Sequence, residues 1–202
     1  MNLAVLVSGS GTNLQAILDA EARGELSAKV KLVVSNVAGV KSLERAAQAG
    51  VPAEVLPHKG FASREAYDDA LVERLRAAGV ELVALAGFMR IITPRLLGAF
   101  PGRILNIHPS LLPAFPGLHA QRQALEHGAK VTGCTVHFVD EGCDTGAILA
   151  QAAVPVLDGD NEASLTARIL VEEHRLYPAM LRAVAEGRVS VHGRRVVISS
   201  PV

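Results

Sequence analysis

The sequence is short of cysteine, has no excess of charge of either sign and contains no long hydrophobic run. Its two cysteines, Cys134 and Cys143, have the spacing of neither a zinc motif nor a disulfide framework, which indicates a reducing compartment. Twenty basic residues balance twenty acidic ones, so the net charge of +0 gives no general attraction to nucleic acid or to an acidic membrane. The apolar run at residues 82–89 is too short to cross a bilayer. We therefore predict small-molecule partners, with no nucleic acid and no membrane.

Length and composition favour one folded unit. The 202 residues are 50% hydrophobic and 20% charged, which excludes collagen-like, coiled-coil and disordered chains. No repeat, linker or low-complexity stretch divides them, so we expect a single domain over residues 1–202. Met1 leads into an apolar run without a basic region, and that run ends in a glycine-rich turn rather than a cleavage site. We expect a cytoplasmic protein, either a monomer or a homodimer.

Short runs of Val, Leu, Ile and Ala alternate with segments of helical spacing. The runs predict buried parallel strands at residues 3–7, 30–34, 53–56, 82–86 and 104–107. Apolar residues at helical spacing near residues 14–18 and 67–75 predict crossover helices between them. This order predicts a doubly wound α/β sheet of the Rossmann type.

The second half of the chain has a different pattern. Residues 131–139 and 148–156 are longer apolar runs that could pair antiparallel, with residues 140–146 connecting them. A long helix is predicted over residues 163–186, and a small terminal hairpin over residues 189–198. The predicted sheet is therefore mostly parallel but mixed.

A glycine-rich turn, Ser-Gly-Ser-Gly-Thr-Asn at residues 8–13, joins the first strand to a helix predicted to open at about Leu14. Free backbone N–H groups and the positive end of the helix dipole would make this turn a phosphate cradle. It is not a Walker loop, and Leu14 replaces the third glycine of a dinucleotide fingerprint. The alternative is a tight turn in which Thr12 or Asn13 caps the helix.

Asn106 and His108 lie two residues apart near the end of a predicted strand that Pro109 stops. Alternation places both side chains on one face, at the edge of the sheet where α/β proteins bind ligands. A carboxamide and an imidazole together suit a reaction that forms a tetrahedral oxyanion, such as acyl transfer. Because there is no Gly-x-Ser-x-Gly elbow and no plausible catalytic thiol, direct transfer is preferred to a covalent acyl-enzyme.

Two carboxylates are further candidates. Asp144 lies in a loop between glycines and would raise the pKa of His108 if it lay nearby, or it could be part of a solvated acidic turn. Glu173 falls on the apolar stripe of the long helix, where it either pairs with an Arg or accepts hydrogen bonds from a hydroxyl-bearing ligand. The histidines and Asp144 lack metal-ligand spacing, so we predict no metal.

These segments together resemble the folate-dependent phosphoribosylglycinamide formyltransferase family over nearly the whole chain. The segments that carry the resemblance are residues 7–16 (VSGSGTNLQA), 63–68 (SREAYD), 85–91 (LAGFMRI), 105–113 (LNIHPSLLP), 116–119 (PGLH), 133–139, Asp144 and residues 173–174 (EH). The resemblance implies transfer of the formyl group of 10-formyltetrahydrofolate, a co-substrate, to the amino group of glycinamide ribonucleotide.

The resemblance also implies a role for each site residue. Asn106, His108 and Asp144 would be catalytic, by stabilising the oxyanion and assisting proton transfer. The residues implied to bind the ribonucleotide are Gly11, Thr12 and Asn13 for the phosphate and Glu173 for the ribose. The residues implied to contact the folate are Arg64, Met89, Arg90, Ile91, Ile92, Asn106, Asp140, Glu141, Gly142, Cys143 and Asp144. His119 and His137 also fit the family pattern, and the resemblance implies that they support the catalytic residues.

Other functions remain possible from the residues alone. Methionyl-tRNA formyltransferase would need an added RNA-binding domain, and formyltetrahydrofolate hydrolase a domain before the first strand. An oxidoreductase that uses nicotinamide or flavin is weakened by the incomplete glycine fingerprint. A non-catalytic module that binds phosphate is the remaining alternative.

Overall fold

A computed structural model describes residues 1–200 and confirms the predicted fold class, a mostly parallel α/β sheet with helices on both faces. The strands are β1 (Asn2–Val7), β2 (Lys29–Ser35), β3 (Ala53–Val55), β4 (Leu82–Leu85), β5 (Ile104–His108), β6 (Val131–Phe138), β7 (Ile148–Pro155), β8 (Val189–His192) and β9 (Arg195–Ile198). The helices are α1 (Thr12–Ala22), α2 (Lys41–Gln48), α3 (Arg64–Ala77), α4 (Pro94–Ala99), α5 (Ala120–Glu126) and α6 (Glu162–Ala185). The last two residues of the expected 1–202 domain lie outside the described range.

The main sheet has seven strands in the order β3-β2-β1-β4-β5-β6-β7. Neighbours from β3 to β5 are parallel, whereas β6 is antiparallel to β5 and β7 is antiparallel to β6. The chain order reverses at β1, which lies between β2 and β4, so this is the topological switch point of the sheet. Loops that leave the carboxyl ends of β1 and β4 diverge there and open a crevice, the usual ligand site of such folds.

Successive side chains of β1 point to opposite faces of the sheet, and each face has its own apolar cluster. Leu3, Val5 and Val7 face a cluster that includes buried residues of α1 and α6. Ala4 and Leu6 face the opposite cluster, which includes buried residues of α3 and α4. Because both faces are covered there, the inner strands β1 and β4 are almost entirely apolar rather than alternating polar and apolar.

Two local predictions are wrong. The strand predicted as buried at residues 53–56 is β3, whose three residues are all exposed, because β3 is an edge strand paired only with β2. The helix predicted to open at about Leu14 begins at Thr12, with Gly11 as its N-cap in the left-handed conformation at φ 70°. No side chain caps α1, so neither Thr12 nor Asn13 has the capping role of the alternative interpretation.

The predictions for the second half are confirmed. β6 and β7 pair antiparallel, α6 spans 24 residues, and β8 and β9 form the terminal hairpin. Tyr177 of α6 is fully buried, and its Oη lies 2.9 Å from the Leu85 carbonyl oxygen and 3.0 Å from that of Leu105. This hydroxyl ties α6 to the carboxyl end of β4 and to the second residue of β5. Within residues 1–200, no helix has both the length and the apolar character needed to traverse a bilayer.

Candidate active site

Asn106 and His108 lie at the carboxyl end of β5, and the pairing of β5 with β6 completes their surroundings. Asn106 is opposite His137 in the antiparallel register, and its Nδ2 lies 3.2 Å from His137 Nε2. His137 Nδ1 lies 2.8 Å from the Phe138 carbonyl oxygen, which can only accept, so Nδ1 carries a proton. When the His137 ring is neutral, Nε2 accepts one N–H of the Asn106 amide, and when the ring is protonated, Nε2 faces the Asp144 carboxylate as a donor. The second N–H of that amide is left for a ligand oxygen.

Asp144 joins this cluster from the loop between β6 and β7. Its Oδ2 lies 3.3 Å from His108 Nδ1 and accepts the backbone N–H of Gly117 at 2.8 Å. Its Oδ1 lies 3.6 Å from His137 Nε2. The spacing of the sequence does not show whether Asp144 lies near His108. In the structure it does, and Asp144 itself has the left-handed backbone conformation, at φ 56°.

Glycines make this path of the loop possible. A Cβ added to Gly142 would collide with the Thr145 side chain, and one added to Gly146 would collide with the Phe138 carbonyl. Asp140 closes the turn by accepting from the Gly142 N–H at 3.1 Å and from Thr145 Oγ1 at 2.6 Å. These contacts set the approach of Asp144, four residues after Asp140, to the histidines.

The electrostatics of the cluster favour an ionised Asp144. Burial alone would raise its pKa, but the His137 imidazole, the Gly117 amide and the positive charge of His108 outweigh burial and hold the pKa at about 2. The ring of His108 is 6% exposed, and its Nε2 lies 2.9 Å from the Phe115 carbonyl oxygen. Both ring nitrogens of His108 therefore face hydrogen-bond acceptors.

The glycine-rich turn after β1 opens at the same edge of the sheet. Gly11 begins α1 without a side-chain cap, so the N–H groups of the first helical turn are left without a side-chain partner at the N-cap. Ser8 Oγ accepts the Met89 N–H at 2.9 Å and lies 2.5 Å from Asn36 Oδ1, which links the loops after β1, β2 and β4. The turn therefore has the geometry of an anion-binding helix start next to the cluster.

Glu173 lies behind this turn and is 4% exposed. Its Oε2 lies 2.6 Å from Asn13 Nδ2, and burial raises its pKa above the ordinary value although that hydrogen bond lowers it. Within residues 1–200, no lysine or arginine forms an ion pair with it, so the structure does not support the Arg-paired alternative. A buried carboxylate with one neutral partner is suited to accept hydrogen bonds from ligand hydroxyls.

The loop after β4 presents apolar side chains to solvent. Met89 and Ile91 are 65% and 59% exposed, whereas Ile92 is buried in the core, so a ligand could reach only its backbone. The Arg90 guanidinium lies 4.2 Å from the Tyr67 ring centroid. Buried Asp68 accepts the Thr93 N–H at 2.6 Å and so anchors the far end of the loop.

The remaining predicted residues are dispersed. Arg64 is exposed at the start of α3, and Glu141 and Cys143 are exposed in the loop beside Asp144. His137 is part of the cluster, but His119 is exposed at the N-cap of α5 and has no contact with it among the hydrogen bonds and ion pairs of residues 1–200. Among the described residues, no three His, Cys, Asp or Glu side chains are grouped to hold a metal ion.

Sequence reasoning missed the groups that hold the loop after β5. Thr135 is fully buried, and its Oγ1 donates to the Ser110 carbonyl at 2.7 Å and accepts the Leu112 N–H at 3.0 Å. Gln151 Nε2 donates to the Leu112 carbonyl at 2.9 Å and to Thr135 Oγ1 at 2.9 Å. Thr135 faces His108 in the β5–β6 register, and that pairing could have been inferred once the two strands were predicted.

The sheet, the switch-point crevice and the amide-imidazole-carboxylate cluster define an α/β enzyme class suited to oxyanion chemistry. A family model described as formyl transferase matches residues 1–181, and the chain belongs to the formyl transferase family.

The matches to similar proteins extend over nearly the whole chain. Phosphoribosylglycinamide formyltransferase of Escherichia coli (strain K12) is 47% identical over 192 residues, which are 95% of this chain and 91% of that protein. The trifunctional purine biosynthetic protein adenosine-3 of Drosophila melanogaster is 56% identical over 188 residues, and the match covers 92% of this chain but only 14% of that protein. The crystal structure of glycinamide ribonucleotide transformylase 1 from Symbiobacterium toebii has a TM-score of 0.98 and 58% identity, covering 99% of this chain and 94% of that chain.

Proposed function

We propose that this protein transfers the formyl group of 10-formyltetrahydrofolate to the amino group of glycinamide ribonucleotide, a step of purine biosynthesis. The observation that carries the proposal is the cluster of Asn106, His108 and Asp144 beside an uncapped helix start at one sheet edge. The Escherichia coli relative, which is named for this activity and is 47% identical over 91% of its own length, supports this acceptor and reaction.

Asn106 and His108 act on the tetrahedral intermediate. Attack of the acceptor nitrogen on the formyl carbon forms a C–N bond and leaves negative charge on the formyl oxygen. That oxygen accepts the second amide N–H of Asn106 and an N–H of His108, which stabilises the developing charge. Since His108 Nε2 already lies 2.9 Å from the Phe115 carbonyl oxygen, the formyl oxygen takes the place of that carbonyl as the acceptor.

Asp144 supports the proton movements. Its ionised carboxylate, 3.3 Å from His108 Nδ1, stabilises the imidazolium that faces the oxyanion. Collapse of the intermediate breaks the bond between the formyl carbon and N10 of the folate. The acceptor amine loses one proton and N10 gains one, with Asp144 and His108 assisting this transfer, so the products are tetrahydrofolate and the formylated amine.

The two substrates would approach from the two sides of the cluster. The first turn of α1, with Gly11, Thr12 and Asn13, holds the phosphate of the ribonucleotide, and Glu173 accepts from the ribose hydroxyls. The exposed apolar side chains of Met89 and Ile91 provide a surface for the pterin ring. The other folate contacts are Arg64, Arg90, the backbone of Ile92, Asn106 and residues 140–144.

The proposal also covers the compartment, the domain organisation and the oligomeric state. We place the enzyme in the cytoplasm, as a single domain over residues 1–202 with small-molecule substrates, acting as a monomer or a homodimer. Cys134 is buried and Cys143 is exposed, and neither forms a disulfide, as is usual in a reducing compartment.

The experiment is release of tetrahydrofolate from 10-formyltetrahydrofolate, measured with and without glycinamide ribonucleotide. Turnover that requires the ribonucleotide is the expected result, and His108→Ala should abolish it in a folded protein. Release at the same rate without any acceptor would instead establish a formyltetrahydrofolate hydrolase. Binding of both ligands with no release would leave a non-catalytic module.

A further inference from the structure

Outside the catalytic cluster, α2 packs directly under the glycine-rich turn. The Ser42 N–H at the start of α2 donates to the Gly9 carbonyl at 3.2 Å. A Cβ added to Gly11 would lie 2.6 Å from Ser42 Cβ and 2.8 Å from Ser42 Cα. The turn therefore rests on α2 with no room for a side chain, and its shape depends on how α2 is held.

One side chain of α2 reaches both sides of this turn. Arg45 Nε donates to the Ser10 carbonyl at 2.9 Å, and its Nη1 donates to Gln15 Oε1 at 3.1 Å. Ser10 lies before Gly11 and Gln15 lies in the first turn of α1 after it. The planar guanidinium thus bridges the two segments that the left-handed Gly11 joins, which the single point charge of a lysine could not do in two fixed directions.

The same arginine lines a cavity of about 390 Å³ at the start of α1, which is formed with Thr12, Gln15, Ala16, Asp19, Arg23 and His174. His174 Nε2 is buried there and has no hydrogen-bond partner within residues 1–200. Burial and the positive charge of Arg45 lower the pKa of His174, and the charge of Asp19 opposes them. An uncommitted imidazole nitrogen beside a guanidinium is suited to a phosphate group.

The charge of Arg45 is not cancelled by a direct partner. Among the described residues no carboxylate forms an ion pair with it, and its two hydrogen bonds go to neutral oxygens. Asp19, the acidic residue of the cavity, accepts from Gln15 Nε2 at 2.8 Å. An unpaired positive charge behind a helix start adds to the field that the helix dipole directs at an anion.

We propose that Arg45 is a positioning residue of the ribonucleotide phosphate subsite. It holds the turn at residues 9–13 in its anion-binding shape and supplies positive charge to the cavity beside Thr12 and His174. This inference rests on the proposed function, because it assumes that the phosphate binds at the first turn of α1. It predicts that substitutions at Arg45 act on the phosphate of the acceptor and leave the formyl-transfer step intact.

The test compares Arg45→Gln, Arg45→Lys and a control, Arg95→Gln, on two acceptors. Arg95 is exposed on α4, where it pairs loosely with Asp69. The acceptors are glycinamide ribonucleotide and its dephosphorylated riboside, assayed as a substrate and as a competitive inhibitor. Arg45→Gln should raise KM for the ribonucleotide at least about tenfold, change kcat less than about threefold, and leave the riboside unaffected. Arg45→Lys should restore part of the loss.

A second readout does not depend on turnover. Inorganic phosphate should raise the Tm of the unaltered protein and of Arg95→Gln, and should raise that of Arg45→Gln much less. Equal losses with ribonucleotide and riboside, or equal stabilisation of all three proteins by phosphate, would overturn the role of Arg45. Absence of turnover in the unaltered protein would refute the proposed function, whereas the phosphate measurement would still decide the role of Arg45.

Discussion

The Nε2 atom of His108 lies 2.9 Å from the carbonyl oxygen of Phe115, seven residues further along the same chain. The histidine that is to donate to the oxyanion is therefore already hydrogen-bonded to its own loop. A neutral peptide carbonyl is a weaker acceptor than an oxyanion, so the exchange of partners favours the transition state over the ground state. On the proposed mechanism, the loop after β5 is thus part of the reaction centre, in addition to the strand that carries the histidine.

The first prediction concerns the catalytic cluster. His108→Ala removes a donor to the oxyanion, and Asp144→Asn removes the charge that stabilises the imidazolium. Each should lower kcat by at least about 10²-fold, with smaller changes in KM for both substrates. Steady-state kinetics with both substrates varied gives the two constants, and His192→Ala, in the exposed terminal hairpin, is the matched control. A near-native kcat in both variants would reject the assigned roles.

The second prediction uses the pKa of Asp144, which is about 2 in the folded protein against an ordinary value of 3.8. Because the folded pKa is the lower one, the ionised carboxylate stabilises the fold above about pH 4, and this contribution is lost as the pH falls through about 2. It amounts to about 2 kcal/mol at neutral pH. Denaturant unfolding of the unaltered protein and of Asp144→Asn should differ by that amount near pH 6 and converge near pH 2. If the difference in unfolding free energy between the two proteins did not change with pH, the stabilising role of the Asp144 charge would be contradicted.

The third prediction is that substitution of Glu173 increases the stability of the fold and weakens ribonucleotide binding. Its raised pKa means that the folded protein loses stability as the pH rises from about 4.5 through the folded pKa, since the charged form is buried. Glu173→Gln should therefore be more stable than the unaltered protein at pH 7, yet bind the ribonucleotide about tenfold more weakly. Thermal unfolding at two pH values and the KM for the ribonucleotide measure the two effects.

Glu172→Gln is the matched control, because Glu172 is adjacent in sequence and pairs with Arg175 near the surface. It should change neither property by much. If Glu173→Gln destabilised the fold and left ribonucleotide affinity unchanged, Glu173 would be a structural residue instead.

The fourth prediction concerns Thr135, whose hydroxyl holds the loop after β5. Thr135→Val would leave the Leu112 N–H and the Ser110 carbonyl without this partner in a buried place, at a cost of about 2 to 4 kcal/mol. Tm should fall by roughly 5 to 10 °C. Because the loop supplies the groups that contact His108 and Asp144, kcat should fall too. Thr135→Ser keeps the hydroxyl and should restore both, and a Thr135→Val protein with full kcat would separate this loop from catalysis.

Most of the fold could be predicted from the sequence because it depends on short-range patterns. Apolar runs flanked by helical spacing correctly predicted the parallel strands, the antiparallel pair β6 and β7, and the terminal hairpin. Burial of β3 could not be read from its residues, because the position of a strand within the sheet decides its exposure and is a property of the whole topology. The early start of α1 depends on Gly11 in a left-handed conformation, which local composition does not specify.

The site was less predictable, because its contacts join distant segments. The alternation of β5 predicts that Asn106 and His108 share a face, and their link through His137 and Asp144 agrees with it. The approach of Asp144 depends on two glycines and a long-range amide from Gly117, which no spacing rule contains. The partner of Glu173 could not be predicted either, because Asn13 and Glu173 are 160 residues apart and only the folded chain brings them together.

The buried hydroxyl of Tyr177 has a consequence for which acceptors can react. Tyr177 follows Glu173 by one helical turn and is hydrogen-bonded to the end of β4 and to Leu105 of β5, which precedes Asn106. The carboxylate that would hold the ribose and the amide that would meet the formyl oxygen are thereby set at a constant separation. On the proposed function we therefore expect an amine to react when its span from the sugar matches that separation, and an acceptor longer or shorter by one methylene to bind with its nitrogen out of reach of the formyl carbon.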